Sequence, residues 1–248
     1  MYSLSRFTLA DMTACGATLR KLGKGVPTLE AVAQKLTTYF YQTFQDPYSQ
    51  ESELALVRCF KTHPYGALPP DLQSLAQATI APAPASSALQ CLTLLATTGD
   101  LPQWNDRTQS QGHQVIPLSS VEVVKQAPMI SQLLQQLGLN LEFIVAPDPS
   151  LIMDLHEQTY NIFHIPHALD SPFIPAQTEF VKPFQIKSVL GFGGILPSGS
   201  LIVLILFSKC PINRETAELF KPLALNAKMA VLPFDQFYIF NSQPEARS

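Results

Sequence analysis

The sequence predicts an α+β fold, with helices packed on an antiparallel sheet. Three observations point there. The N-terminal third carries amphipathic helical patterning. Two β-rich runs, "IKSVLGFGGIL" and "SLIVLILFSK", are joined by Pro197-Ser198-Gly199. A helical pattern then runs from Asn213 to Leu232.

Size and composition bound the rest. At 248 residues, 46% hydrophobic and 14% charged, the chain can bury a substantial core. It reads as one unit spanning 1–248. The formal net charge of −3 and the scattered Lys and Arg leave no footprint for nucleic acid. "MYSLSRFTLADM" turns polar at once and makes a poor secretory signal. The longest apolar run, Leu201 to Phe207, falls far short of the roughly 20 residues of a membrane helix. Cys15, Cys59, Cys91 and Cys210 are widely separated, as expected for reduced thiols in a cytoplasmic protein.

"TLADMTACGATLRKL" has apolar residues at Leu9, Met12, Ala17 and Leu19, a loose helical spacing that "GKGVP" ends. Thr28 and Glu30 open a stronger helix, with Leu29, Val32, Ala33, Leu36, Phe40 and Phe44 on one stripe. "QDPYSQES" is a turn, and "ELALVRCFKTH" a strand with Leu54 and Leu56 inward. "PPDLQSLAQATI" starts a short helix on proline, where a missing N–H costs least. "APAPASSA" connects it to a strand in "ALQCLTLLATTG". From Leu101 to Leu118 the chain is polar and irregular, and a loop that long is usually functional or covers something. "MISQLLQQLGL" is a helix ended by Gly138; "LEFIVAPDP" and "TYNIFHIPH" are expected strands, and "PAQTEFVKPF" a helical turn. "SLIVLILFSK" is apolar on both faces and so expected at the sheet centre. The last helix has an Asn213 cap, Glu215 in its first turn, and a kink expected at Pro222.

The glycines at 191, 193 and 194 do not form a phosphate cradle. Such a loop needs a helix N-terminus directly after it. Here another apolar strand follows, and no Lys-Ser or Lys-Thr pair is present. Pro-Ser-Gly between two strands is a hairpin, and the glycines before it let the strand bend or another backbone approach.

The chain resembles a GAF-like, PAS-related sensory domain of the type found at the N-terminus of bacterial multidomain sensor histidine kinases. The resemblance rests on "FKTHPYGALPPDLQ", "CLTLLATTG", "GHQVIPLS", "APMISQLL", "TYNIFHIP", "FIPAQTEFV", "SVLGFGGILPSG" and "ILFSKCPINRETAELFKPLAL", from about Leu9 to Phe234. It implies a GAF/PAS-like antiparallel sheet, helices on one side, a loop-roofed pocket on the other, and terminal helices that pair in a homodimer. It also implies signal transduction in a two-component system, with a partner such as a histidine kinase. The sequence departs from that pattern in two ways. Only "FDQFYIFNSQPEARS" follows the closing helix, so no effector is expected within this chain, and Pro222 interrupts the helix that would carry a signal.

The candidate ligand-binding residues are Trp104, His113, His164 and Phe192. Trp104 and His113 share the long polar loop, and an aromatic beside a histidine over a cavity suits a planar ligand such as haem, although no motif specifies a cofactor. His63, in "KTHPYG", would serve haem or a metal only as a neutral imidazole facing a cavity; a turn histidine satisfied by backbone is the plainer reading. His164 and His167 stand three apart, but Pro166 and β-rich neighbours deny them one helical face. His156 lies in a polar segment, and dispersed histidines without acidic or thiol partners assign no metal. No Cys-His dipeptide marks a bilin and no Gly-x-Ser-x-Gly marks a nucleophile elbow. Asp148, Asp154 and Glu157 read equally well as solvated loop residues. The expectation is a non-enzymatic cytoplasmic sensory or regulatory domain that binds a small ligand or partner, without nucleic acid or membrane. The alternative is a pocketless adaptor for a separate sensor kinase or regulator.

Overall fold

The computed structural model describes residues 1–151 and 161–241. Its centre is one antiparallel sheet of six strands: β1 (Leu54–Pro64), β2 (Gln90–Gly99), β3 (Val115–Pro117), β4 (Phe163–Ile165), β5 (Ser188–Ile195) and β6 (Leu201–Ser208). The spatial order is β3-β2-β1-β6-β5-β4. Both ends of the sheet are three-residue strands, which leave little unpaired edge for another chain to extend. β6 lies near the middle, as its two apolar faces require. This layout, with helices packed on it, is compatible with a GAF/PAS-like fold.

Alternation along the strands divides the core in two. On one face lie α1 (Leu9–Leu19), α2 (Leu29–Thr43) and the closing helices, over Val57, Cys59, Leu190, Phe192 and Leu204. Phe192 is fully buried there, 5.5 Å from the Phe40 ring and 5.6 Å from Phe220. Burying each such ring is worth about 1.5–3 kcal/mol before its edge-to-face contacts are counted. The opposite face carries Phe60, Leu94, Val189, Val203 and Phe207. It is covered by α4 (Val121–Lys125), α5 (Pro128–Leu137), α6 (Leu141–Val145) and the segment around the π-turn Gln177–Val181. α3 (Pro70–Ile80) begins on its proline, as expected.

The helix starts follow local chemistry. Thr8 and Asp11 form a reciprocal capping box on α1, and the Thr28 hydroxyl accepts from Ala31 N on α2. Gly138 closes α5 at φ +80°, where a side chain would be strained. The hairpin between β5 and β6 turns at Leu196–Ser200, with Gly199 at φ +82°. Gly193 serves close approach: a Cβ there would stand 2.0 Å from the Ile202 carbonyl oxygen of β6. No helix N-terminus faces these glycines; β5 runs directly into the hairpin.

Three expectations are corrected. "LEFIV" is a helix, α6, because the Asn140 side chain accepts from Glu142 N and starts a turn; a five-residue apolar run alone does not separate helix from strand. The last helix is two, α7 (Arg214–Glu218) and α8 (Lys221–Val231), and Pro222 sits in the first turn of α8 rather than at a kink. Its absent N–H is thereby harmless. The Leu101–Leu118 segment holds two 3-10 turns and β3 and is not wholly irregular.

Past α8 the chain doubles back as a strap across the start of α2. Leu29 N donates to Tyr238 O at 2.8 Å and Glu30 N to Ile239 O at 2.9 Å, which satisfies two first-turn donors that a helix leaves open. The Glu30 carboxylate accepts from Asn241 N and, at 2.6 Å, from Arg107 Nε. Arg107 lies 5.6 Å from the Phe240 ring centre and shields it.

Candidate functional site

At the end of the sheet where β1 finishes and the β5–β6 hairpin turns, a cleft of about 640 Å³ opens. Lys61, His63, Gln90, Ser198 and Asp235 supply its polar lining; Val145, Ala146, Pro147 and Ile239 supply apolar walls. The strand period explains the cluster. Lys61 and His63 are two apart on β1, so both point to the face that carries Cys59. Asp235, just beyond α8, drops onto Lys61 with 3.6 Å between Nζ and Oδ1. The same carboxylate accepts from Ser198 N at 2.8 Å and Ser198 Oγ at 2.7 Å, tying the hairpin to the strap.

All three ionisable groups are buried: His63 is 1%, Lys61 2% and Asp235 6% exposed. Burial pushes the Lys61 ammonium from 10.5 down to about 8, against the opposing pull of Asp235. Burial, and then the Lys61 charge, push His63 well below its usual value, so its imidazole is neutral at pH 7. Apart from a weak backbone hydrogen bond at Lys61, the His63 ring nitrogens have no hydrogen-bond partner among the described residues, and the ring lies 5.3 Å from Phe240. A neutral imidazole offers one donor and one acceptor, and here at least one of them is unspent among the described residues. His63 is therefore a strand residue lining a cleft, not a turn histidine.

The other sequence candidates are not brought together. Trp104 packs on the opposite face, 4.4 Å from the Phe184 ring and 5.7 Å from Phe180, and it fills the space expected behind its loop. Phe192 is in the helix-side core, across the sheet from Trp104. His164 sits on β4 with Nε2 2.9 Å from Ile212 O, a contact that makes Nε2 the protonated nitrogen and ties the edge strand to the chain ahead of α7. His113 is exposed at φ +59° in the polar loop. Residues 101–118 line neither the cleft described above nor a second one, of about 490 Å³, beside Pro166–Leu169 and Val181–Lys187.

No family model matches the chain, and no curated protein matches it. Function must come from the site itself.

Among the described residues no three His, Cys, Asp or Glu side chains converge as a metal site. His156, Asp154 and Glu157 lie outside the described residues. No described helix is long and apolar enough to cross a membrane. Sequence reasoning missed Lys61, Ser198 and Asp235. A signal existed: Lys61 and His63 alternate on the face of β1 that otherwise carries Leu54, Val57 and Cys59, and a charge in that register needs a partner. The partner lies 174 positions away and nothing local announces it.

Proposed function

We propose that the chain is a non-enzymatic sensory or regulatory domain of the GAF/PAS kind, with its small-molecule site in the cleft around His63. The single observation that carries this reading is a buried imidazole with hydrogen-bonding capacity unspent among the described residues, lining a cavity of ligand size. The fold supports it through the antiparallel sheet and its packed helices. Among the lining residues only Lys61 and Asp235 carry formal charge, and they cancel. That lining suits a neutral or zwitterionic molecule that brings one donor and one acceptor. A nucleotide polyphosphate would meet the Asp235 carboxylate, whose field Lys61 and Lys228 already share.

Signal output in this reading runs through the strap. A ligand on His63 lies beside Phe240 and Asp235, and those residues belong to the segment that caps α2 and follows α8. A homodimer and a separate histidine kinase are the partners that the GAF-like resemblance suggests for such an output.

The test is thermal denaturation of the purified protein against panels of free amino acids, amides, sugars, nucleotides, haem and flavin. At one hundred times Kd a ligand adds about 2.7 kcal/mol, or some 5–10 °C in a protein of this size. The expected result is stabilisation by a neutral or zwitterionic class, lost in H63A and weakened in H63Q. Stabilisation that survives both substitutions, or a response confined to nucleotides, would refute this site. The second reading, a pocketless adaptor, is favoured by the way Trp104 fills its side of the sheet; a protein unresponsive to every panel yet bound by a purified kinase would establish it.

A further inference from the structure

Lys61 is 2% exposed and yet lines the cleft beside His63. Its Nζ stands 3.6 Å from Asp235 Oδ1, and Ser198 N and Oγ hold that carboxylate in turn. All three residues of this contact line the cleft, so the amine end of Lys61 stands at its wall. The walls around it at Val145, Ala146, Pro147 and Ile239 are apolar and would take a hydrocarbon chain.

Burial also makes this lysine a nucleophile. With its ammonium brought down to about 8, roughly a tenth of Lys61 is free amine at pH 7, against fewer than about one in a thousand for an exposed lysine. The other ionisable groups that bear on it are His63 on its own strand, Asp235 past α8, and Lys228 of α8, which feels the same carboxylate.

We propose that Lys61 captures a small neutral aldehyde or ketone in the cleft as an imine. This rests on the reading that the cleft admits a small molecule, and it adds the reactive group that the molecule carries. The Asp235 carboxylate, 3.6 Å away, accepts the proton that leaves the ammonium. The free amine attacks the carbonyl carbon, a C–N bond forms, and the carbonyl π pair moves to oxygen, which takes that proton. The carbinolamine loses the oxygen as water while the nitrogen lone pair closes C=N. In sum Lys–NH3+ and O=C give Lys–NH+=C and H2O; two N–H protons leave in the water, and nothing is oxidised or reduced. The iminium keeps one positive charge, so Asp235 keeps its counter-charge throughout. An anionic oxo acid would bring a negative charge that no lining residue offsets.

The experiment uses the full chain at pH 7 with propanal, and sodium cyanoborohydride to reduce any C=N to a stable amine. Peptide mass spectrometry reads the labelling rate at Lys61 against the exposed Lys24 and Lys35. The expected result is labelling of Lys61 at least ten-fold faster than of either, rising with pH to half its maximum near 8. That selectivity should vanish in the urea-unfolded chain. K61R, which keeps a cation for Asp235 but cannot condense, should lose any thermal stabilisation by propanal. Equal rates at the three lysines, selectivity that persists in urea, or stabilisation retained in K61R would overturn the proposal. Stabilisation of the protein through His63, with Lys61 no faster than the surface lysines, would overturn the imine and leave the His63 reading standing. Selective labelling of Lys61 beside an unresponsive ligand panel would do the reverse.

Discussion

Asp235→Asn removes the counter-charge that Lys61, 2% exposed, finds among the described residues, while keeping the shape of the side chain. Breaking a buried pair from one side costs about 3–5 kcal/mol, because the remaining charge is left without compensation. The amide oxygen can still accept from Ser198, so the lower end, about 3 kcal/mol at pH 7, is the expected loss. At roughly 2–4 °C per kcal/mol this is a fall in Tm of about 6–12 °C.

The pH dependence carries the sharper signature. In the wild-type protein Lys61 titrates near 8 folded and 10.5 unfolded, so the unfolded state holds more protons between those values and stability rises with pH across that window. Without Asp235 the folded lysine gives up its proton at a still lower pH. The variant then begins to recover earlier, and the gap between the two proteins narrows from pH 7 to pH 10. Urea denaturation at four pH values across that range measures it. A gap that stays constant, or a loss below about 1 kcal/mol at pH 7, would show that Asp235 does not compensate Lys61 and would remove the electrostatic account of the cleft.

Two further outcomes test the frame around the site. Gly193→Ala would drive a methyl into the Ile202 carbonyl, and since backbone cannot step aside as a side chain can, a loss of about 2–3 kcal/mol or failure to fold is expected in chemical denaturation. An effect under 0.5 kcal/mol would mean that β5 and β6 are not in this register. Phe192→Ala should cost about 3–5 kcal/mol through the cavity left between Phe40 and Phe220, measured the same way. A visible-absorbing ligand bound by the wild type and lost in that variant without loss of stability would instead return Phe192 to the ligand site.

Periodicity made most of the fold legible. The α2 stripe, the β5–β6 hairpin and the central place of β6 all follow from patterns confined to a few turns or one strand pair. Two kinds of element escaped. "LEFIV" is too short for its period to be read, and its helix depends on a single cap at Asn140. A kink at Pro222 does not occur because α7 stops at Glu218, which leaves the proline in the first turn of α8. The site was much less legible. His63 stood out as a residue type, but its lack of partners is a tertiary fact. Lys61 and Asp235 become a pair only when the chain after α8 returns to the end of β1.

The central strand pair also sets a schedule for assembly. Ser208 Oγ reaches the Glu53 carbonyl across 155 positions of sequence, and β1 pairs with β6 along nearly its whole length. β1 emerges early in synthesis and keeps one edge unpaired until β6 has been made. Folding dominated by so distant a pairing belongs to the millisecond-to-second range, and the waiting strand is the segment most in need of protection from aggregation.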